Sequence, residues 1–283
     1  MTAPGFTLVE LVVVITLLGI LGAFAVSFLV QPIEGFLDTS RRSRLVTRAE
    51  TALARMEKEL RLALPNSVRV HVSGRTVEFL RTLSGGRYRR EADPGPVPGD
   101  PIDFNAAADG FDVLGGMPSP DQVIGGGSRQ ADCLDGTVDC LVIYNTGQPG
   151  ADAWSGDNIA AVAFMDKGPP LRANFDNSGD LPGWSFPFES PGQRFYIVDT
   201  PVAFVCDPGS GQVRRVSGYP ITAVQSQSPP GTSHLLVDGV SACTFSYAPG
   251  TATRAGLVTL QLTLTEEGES VRLLQQVHVP NVP

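Results

Sequence analysis

The 283 residues are 42% apolar and include 31 Gly and 23 Pro, a composition typical of many short strands joined by loops. The net charge of −8 is unevenly spread: residues 41–90 hold 13 of the 21 Lys and Arg against four Glu, and residues 91–283 hold eight against 22 acids. The acidic C-terminal part argues against a nucleic-acid-binding domain, which needs a basic face.

An uncharged segment covers residues 11–33 near the N-terminus. A membrane-spanning helix needs about 20 apolar residues, and only Thr16 and Ser27 place hydroxyls in residues 11–30. Either hydroxyl can bond back to a carbonyl one turn earlier. A cleaved secretory signal has a shorter apolar run closed by a small-residue site, which is absent here. The segment therefore predicts a transmembrane helix.

The string GFTLVE at residues 5–10 opens this helix and places a carboxylate, Glu10, at its threshold. A carboxylate in lipid is costly unless it finds a partner or keeps water. The string resembles the class III leader of type IV pilins and pseudopilins. The resemblance implies that a prepilin peptidase cuts between Gly5 and Phe6 and that Phe6 is N-methylated. It also implies that Glu10 neutralises the new amine of a neighbouring subunit.

The same resemblance implies a topology and a set of partners. The chain would cross the bacterial inner membrane once, with a periplasmic head, and later join a cell-surface pilus or pseudopilus. Its partners would be other major and minor pilins, the prepilin peptidase and the inner-membrane assembly platform. The implied division is a leader at residues 1–5, an assembly helix at 6–35, a neck helix at 36–65 and a β-rich head at 66–283. Residues 1–4 carry no charge, whereas such leaders usually carry Lys or Arg.

Two small-residue features of the apolar segment have alternative interpretations. Gly5 lacks a Cβ and so lets a protease approach the backbone. Gly19 and Gly22 would permit close packing against another helix, or would reflect the ordinary tolerance of Gly in membrane helices.

The helical pattern resumes after Pro32 and Gly35, where we expect a bend or local melting. Apolar residues then recur at three- and four-residue spacing, which predicts a stripe packed on the head: Leu45, Ala49, Ala52, Leu53, Met56, Leu60, Ala63 and Leu64. Glu57 and Arg61 form a favourable pair four residues apart. The helix is expected to end at residues 64–66, because the residue before a proline leaves helical space.

Arginines at positions 41, 48 and 55 lie on another face of the neck. The sequence leaves three readings open for them: a solvated face, pairing with the acidic head of another subunit, or contact with anionic lipid headgroups.

Four cysteines fit a disulfide framework in an oxidising compartment. Three pairings are possible, and we favour Cys133 with Cys140 and Cys206 with Cys243, because each pair shares a sequence neighbourhood. A zinc site is not indicated, because there is no Cys-x-x-Cys and the histidines at positions 71, 234 and 278 are scattered.

From residue 68 the pattern changes to short alternating runs, which predicts one or two antiparallel sheets packed on one helix, an α+β fold. Residues 73–74 and 266–269 mark two hairpins, and residues 91–130 are expected to form long loops. The other predicted strands are residues 141–144, 160–164, 194–198, 203–206, 212–216, 234–237, 242–247, 257–265 and 271–279.

Dispersed segments of the head are similar to minor pilins of the MSHA-type (mannose-sensitive haemagglutinin) pilus. These segments are residues 61–69, 85–89, 141–145, 194–199, 201–207 and 276–283. The architecture also resembles the J-type pseudopilin of type II secretion.

Possible sites in the head are few. Asp176, Ser178 and Asp180 place oxygens at alternate positions, as calcium loops do, but lack a distal Glu; no cofactor is otherwise indicated. Aspartates 132, 135 and 139 around the first cysteine pair are a weaker calcium candidate. Residues 125–128 (GGGS) lack the context of a phosphate-binding loop and predict a flexible loop.

No motif indicates an enzymatic function, since a Gly-x-Ser-x-Gly nucleophile elbow is missing. Aromatic residues at 154, 184, 186 and 188 would form either a sugar- or partner-binding platform or part of the core. The sequence therefore predicts a subunit that assembles through its N-terminal helix, with a tip adhesin that recognises a glycan as the alternative from a binding class.

Overall fold

The structure is a computed structural model that describes residues 5–94, 96, 98–251 and 254–283, and it leaves the side chains of residues 26–34 and 37 undescribed. The uncharged leader segment 1–4 lies outside the described residues. One helix, α1, runs from Leu8 to Leu60. It stays helical through Pro32 and Gly35, so the predicted local melting is wrong. A proline removes a single helical hydrogen bond, and the adjacent turns keep theirs.

Helix α1 ends at Leu60, earlier than the predicted end at residues 64–66. The following residues already pair with the head: Leu64 N–H donates to the Leu80 carbonyl at 2.8 Å, and Thr82 N–H donates to the Leu62 carbonyl at 2.8 Å. Bonding to a strand replaces the last helical turn.

The described residues of the head form twelve strands and one short α-helix, α2. Helix α2 spans Gln130–Leu134. The strands are β1 Arg69–Val70, β2 Thr76–Tyr88, β3 Gly110–Leu114, β4 Cys140–Ile143, β5 Ile159–Asp166, β6 Arg172–Phe175, β7 Arg194–Asp207, β8 Gln212–Ser217, β9 Thr232–Asp238, β10 Val240–Ala248, β11 Gly256–Glu266 and β12 Glu269–Val279. All pairings between these strands are antiparallel, so the predicted α+β class is confirmed.

The strands form two sheets, one of nine strands and one of three, the latter in the order β10-β11-β12. The predicted hairpin between β11 and β12 is confirmed. Its turn residues Glu267 and Gly268 both have positive φ, at 49° and 88°, as a two-residue type I′ turn requires. The hairpin at Ser73-Gly74 also forms, but β1 is only two residues long.

Strand β7 is a single strand of 14 residues where the sequence predicts two. Pro201 lies within it, opposite Leu80 and beside two register shifts in the β2 ladder. At this point β7 also changes its other neighbour, from β4 at residues 195–198 to β8 at residues 202–207. A proline is tolerated at such an interruption of the ladder.

Six strands of the larger sheet close on themselves, since β2, β3, β6, β5, β4 and β7 pair in a ring. The interior of this small barrel is filled by side chains from all six strands. Phe111 lies among them, with ring centroids 5.1 Å from Phe195 and 5.9 Å from Tyr88. Strands β3 and β6, which complete the ring, were not predicted; β3 lies in a region expected to be loop.

A second core lies between α1 and the two sheets. The predicted apolar stripe of α1 is confirmed, because each of its members is at most 4% exposed. The stripe packs against β2, β7, β8 and β9 of the larger sheet and against β10–β12 of the smaller one. The first half of β2 and the second half of β7 contribute to this core, and their other halves line the barrel. The long β2–β7 ladder thus joins the barrel to the helix-bearing part of the head.

Asp139 is a buried acid beside the first disulfide, only 3% exposed. One of its oxygens accepts the Ile124 N–H at 2.7 Å. The pKa of Asp139 is raised to about 6, mainly by burial and also by the nearby Asp199, whereas the hydrogen bond from Ile124 and the charge of Arg81 lower it. Burial also raises the pKa of Asp199, which forms an ion pair with Arg81.

We expect Asp139 to make stability fall as pH rises. Between its ordinary pKa of 3.8 and its folded value of about 6, the folded chain holds a proton that the unfolded chain has released, so stability is lost across this window. Asp139→Asn keeps an acceptor for Ile124 and removes the titration. Thermal unfolding of the detergent-solubilised protein at pH 4 and pH 7 should show the wild type losing up to about 3 kcal/mol relative to the variant. Parallel pH profiles for the two proteins would contradict this assignment.

Candidate functional site

The start of α1 is set by Thr7. Its backbone is extended, with φ −82° and ψ 149°, and its side chain accepts the backbone N–H of Glu10 at 3.3 Å. The Thr7 carbonyl accepts the Leu11 N–H at 3.2 Å. Threonine at the N-cap satisfies one of the N–H groups that a helix leaves unpaired at its start. The pattern Thr-x-x-Glu is a capping-box signal that sequence analysis overlooked.

Gly5 and Phe6 precede the helix in an exposed, non-helical segment. A Cβ built on Gly5 meets nothing within 4 Å, so the fold of the chain itself does not require glycine there. Phe6 is 78% exposed. A protease needs an accessible, unwound backbone, and the predicted cleavage position has both properties.

Glu10 lies in the first turn of α1 and is exposed. The N-terminus of a helix carries a partial positive charge that favours a carboxylate. Among the described residues, Glu10 has no ion-pair partner. Its side chain is therefore available to a cation outside its own fold.

The N-terminal part of α1 is exposed within the part of the chain that the structure describes. The 18 residues Leu8–Ala25 have a mean hydropathy of 2.6, and none of them is buried, so this segment is long and apolar enough to cross a membrane. Thr16 donates its hydroxyl hydrogen to the carbonyl of Val12 or Val13, at 3.0 and 2.9 Å, as predicted. Added Cβ atoms on Gly19 and Gly22 would also meet nothing within 4 Å. The apolar surface therefore needs a cover from outside, either lipid or other helices.

The neck arginines at positions 41, 48 and 55 differ in their contacts, so no one of the three interpretations left open by the sequence describes them all. Arg41 pairs with Glu267 at 2.7 Å. Arg48 pairs with Glu266 at 2.9 Å and with Asp238, within the same molecule. Arg55 is exposed and has no ion pair among the described residues. The sequence could not show these pairs, because the partners lie about 200 positions further along the chain.

We expect Arg48→Ala to loosen the contact between the neck and the turns after β9 and β11. It would remove bonds to Glu266 and to the carboxylate and carbonyl of Asp238. Because the side chain is 35% exposed, the expected loss is about 1 kcal/mol of unfolding free energy. Arg55→Ala is the matched control and should change stability by less than about 0.5 kcal/mol. Equal denaturation midpoints for the two variants would show that the Arg48 pairs contribute nothing.

The calcium candidates are engaged by backbone groups. Asp180 accepts the N–H groups of Gln130 and Ala131 at 3.0 and 3.1 Å, at the start of α2. Asp176 accepts the Ser178 N–H at 2.7 Å. In the part of the chain that the structure describes, no group of three or more His, Cys, Asp or Glu side chains is arranged to hold a metal ion.

Asp132 and Asp139, from the weaker calcium candidate, also bind backbone. Asp132 accepts the N–H groups of Ser128 and Arg129 at 3.0 Å, and hydrogen bonding lowers its pKa. Residues 125–128 form a loop, as predicted, but Gly126 and Gly127 donate to the Ala163 and Val162 carbonyls of β5. A Cβ on Gly125 would lie 2.5 Å from the Ala163 oxygen, so these glycines permit close backbone contact.

The aromatic residues lie mostly in cores. Phe186 is 1% exposed inside the barrel, and Trp184 packs against it with a centroid distance of 4.7 Å. Trp154 donates its indole N–H to the Ser67 carbonyl at 2.8 Å. Phe188 is 47% exposed. The four side chains do not form one exposed platform.

The structure joins Cys133 to Cys140 and Cys206 to Cys243, the pairing that the sequence favours. The first disulfide links α2 to β4, and the second links β7 of the larger sheet to β10 of the smaller one. Both lie in the head, away from the apolar half of α1.

Comparison with known proteins identifies the N-terminal segment. A family model described as the prokaryotic N-terminal methylation motif matches residues 3–26. Neither the curated proteins nor the solved structures contain a significant match to the chain. The matched segment holds the exposed Gly5-Phe6 bond, the Thr7 cap, Glu10 and the exposed apolar residues 8–25. This motif indicates a prepilin-like N-terminus of the kind found in type IV pilins and pseudopilins, and the apolar helix suits a membrane anchor.

Proposed function

We propose that this chain is a minor pilin of a type IV pilus of the MSHA type, resembling the minor pilin MshO. The single observation that supports an assembly role is the contrast within α1. Its second half buries an apolar stripe in the head, whereas residues 8–25 are uncovered and carry the methylation motif. An assembly subunit needs this arrangement, since the uncovered half can exchange lipid for neighbouring helices.

Processing and assembly follow from the N-terminal geometry. A prepilin peptidase cuts the exposed Gly5-Phe6 bond on the cytoplasmic side, and Phe6 becomes an N-methylated, cationic N-terminus. Glu10 of one subunit pairs with the amine of the next, because each charge is costly alone in an apolar surrounding and tolerable when paired. The head stays on the periplasmic side, an oxidising compartment that suits two disulfides, until the assembly platform extracts the subunit.

The size of the head supports a minor rather than a major role. Residues 89–193 add most of a closed barrel to the helix-bearing part of the head, and such a bulk crowds a densely repeated filament. A position at the tip or in the initiating complex relieves this crowding. We assign the chain no catalytic activity and no cofactor, and we do not favour a glycan-binding tip adhesin, because Trp154 and Phe186 are buried.

The assignment to an MSHA-type pilus rests on the dispersed sequence similarities in the head, and a J-type pseudopilin of type II secretion is the alternative. The genes that accompany this one distinguish the two. A neighbouring pilus ATPase with several small prepilin genes supports the pilus, and a complete secretion operon supports the pseudopilin.

Glu10→Val tests the pairing on which assembly depends. We expect the variant to insert into the membrane and to be cleaved normally, because neither step uses the carboxylate. Its recovery in sheared filaments or in a complex of minor pilins should fall by an order of magnitude. Thr16→Val is the matched control, since it removes a polar group from the same apolar segment without removing a charge. Incorporation of the Glu10 variant at the level of the control would refute the pairing.

A further inference from the structure

A groove runs between α1 and the edge strand β12. Its volume is about 310 Å³, and it is lined by Leu53 and Ala54 of α1 and by Leu273, Leu274 and Gln275 of β12, with Glu50 and Glu57 at its rim. Leu274 is 58% exposed. The groove thus combines apolar side chains with a pair of carboxylates, on the second half of α1.

The two carboxylates differ in their partners. Glu57 accepts bonds from Arg61 at 2.6 Å and from Gln275 at 2.8 Å. Glu50 is exposed, and no ion pair or hydrogen bond to its carboxylate is present among the described residues. The rim therefore retains the negative charge of Glu50, which no described residue neutralises.

The opposite flank of the neck is basic. At 100° per residue, Arg44 and Arg55 lie about 140° around the helix from Glu50 and Glu57. Both arginines are exposed, and neither forms an ion pair within the described residues. Thr51 lies between them and donates its hydroxyl hydrogen to the Thr47 carbonyl at 2.7 Å, so it presents no free donor to an apolar surface.

The acidic flank of one copy can face the basic flank of a second copy, whereas the two flanks of a single helix lie too far around it to pair with each other. Such a heterologous contact leads from subunit to subunit without closing as a two-fold dimer does. We propose that the groove between α1 and β12 binds the basic flank of the neck helix of a second, parallel copy of this chain. This proposal rests on the proposed function, because it assumes that one neighbouring copy makes both contacts: its neck helix binds the groove, and its Phe6 amine pairs with Glu10. Two adjacent copies suffice, which is compatible with a low copy number.

The membrane-end pairing fixes the axial offset of this contact. When Phe6 of the neighbour lies level with Glu10, every neighbour residue lies level with the residue four positions further along this chain, an offset of about 6 Å. Arg44 of the second copy then lies level with residue 48, about 3 Å along the axis from Glu50. Its Arg55 lies level with residue 59, also about 3 Å from the level of Glu57. Both acid–arginine pairs are therefore within side-chain reach in one register.

Cysteine cross-linking between two differently tagged full-length copies in one membrane tests this register. All four native cysteines are in disulfides, so an introduced cysteine is the reactive thiol. We expect Glu50→Cys in one copy to cross-link with Arg44→Cys in the other, and Glu57→Cys with Arg55→Cys. The matched control is Glu50→Cys with Arg55→Cys, whose levels differ by about 14 Å, and its yield should be several-fold lower.

Further outcomes separate this inference from the proposed function. Equal yields for the expected and control pairs, dominant Glu50–Glu50 cross-links, or cross-links only to a different pilin would overturn the groove assignment. If the expected pairs fail while Glu10→Val still reduces filament recovery, the groove contact is refuted and the pilin function stands. Adding Glu10→Val to both cross-linking copies should lower the yield of the expected pairs, and an unchanged yield would show that the membrane-end pairing does not set the register.

Discussion

The apolar residues 8–25 of α1 are not buried by the described part of the chain, and the rest of the molecule depends on this exposure. Burying a Val, Leu or Ile side chain is worth about 1.5–3 kcal/mol, so an uncovered segment of 18 residues is stable only in lipid or among other helices. The second half of the same helix meets the opposite requirement, with its apolar stripe buried between two sheets. One continuous helix thus connects a folded head to an exposed apolar surface that lipid or other helices must cover.

The electrostatic contacts of α1 differ from its N-terminus to its C-terminus. At the membrane end, Thr7 caps the helix and leaves the carboxylate of Glu10 exposed. At the start of the neck, Arg41 and Arg48 hold the turns of the head against the helix. Further along, Glu50 and Arg55 form no ion pair with any described residue, and we propose that they serve contacts between subunits. The head contributes rigidity, since the β2–β7 ladder and the disulfide between Cys206 and Cys243 tie its parts together.

Local patterns predicted the features that depend on local physics. The period of the apolar residues predicted the buried face of α1, and the turn chemistry at Glu267-Gly268 predicted the last hairpin. The structure differs from prediction where the partners are distant in sequence. Strands β3 and β6 are four or five residues long and exist because the barrel closes around them. The N-terminal motif could be predicted because its residues are contiguous in the sequence. The groove beside Glu50 could not, because it depends on β12, more than 200 residues away.

The central claim is that the exposed Gly5-Phe6 bond is cut so that the uncovered helix can enter an assembly. Mass spectrometry of the N-terminus of the protein, recovered from membranes of a cell that expresses a prepilin peptidase, tests it directly. The account predicts a mature chain that begins with N-methylated Phe6. An intact N-terminus at Met1, or a cut anywhere within the apolar half of α1, would contradict it.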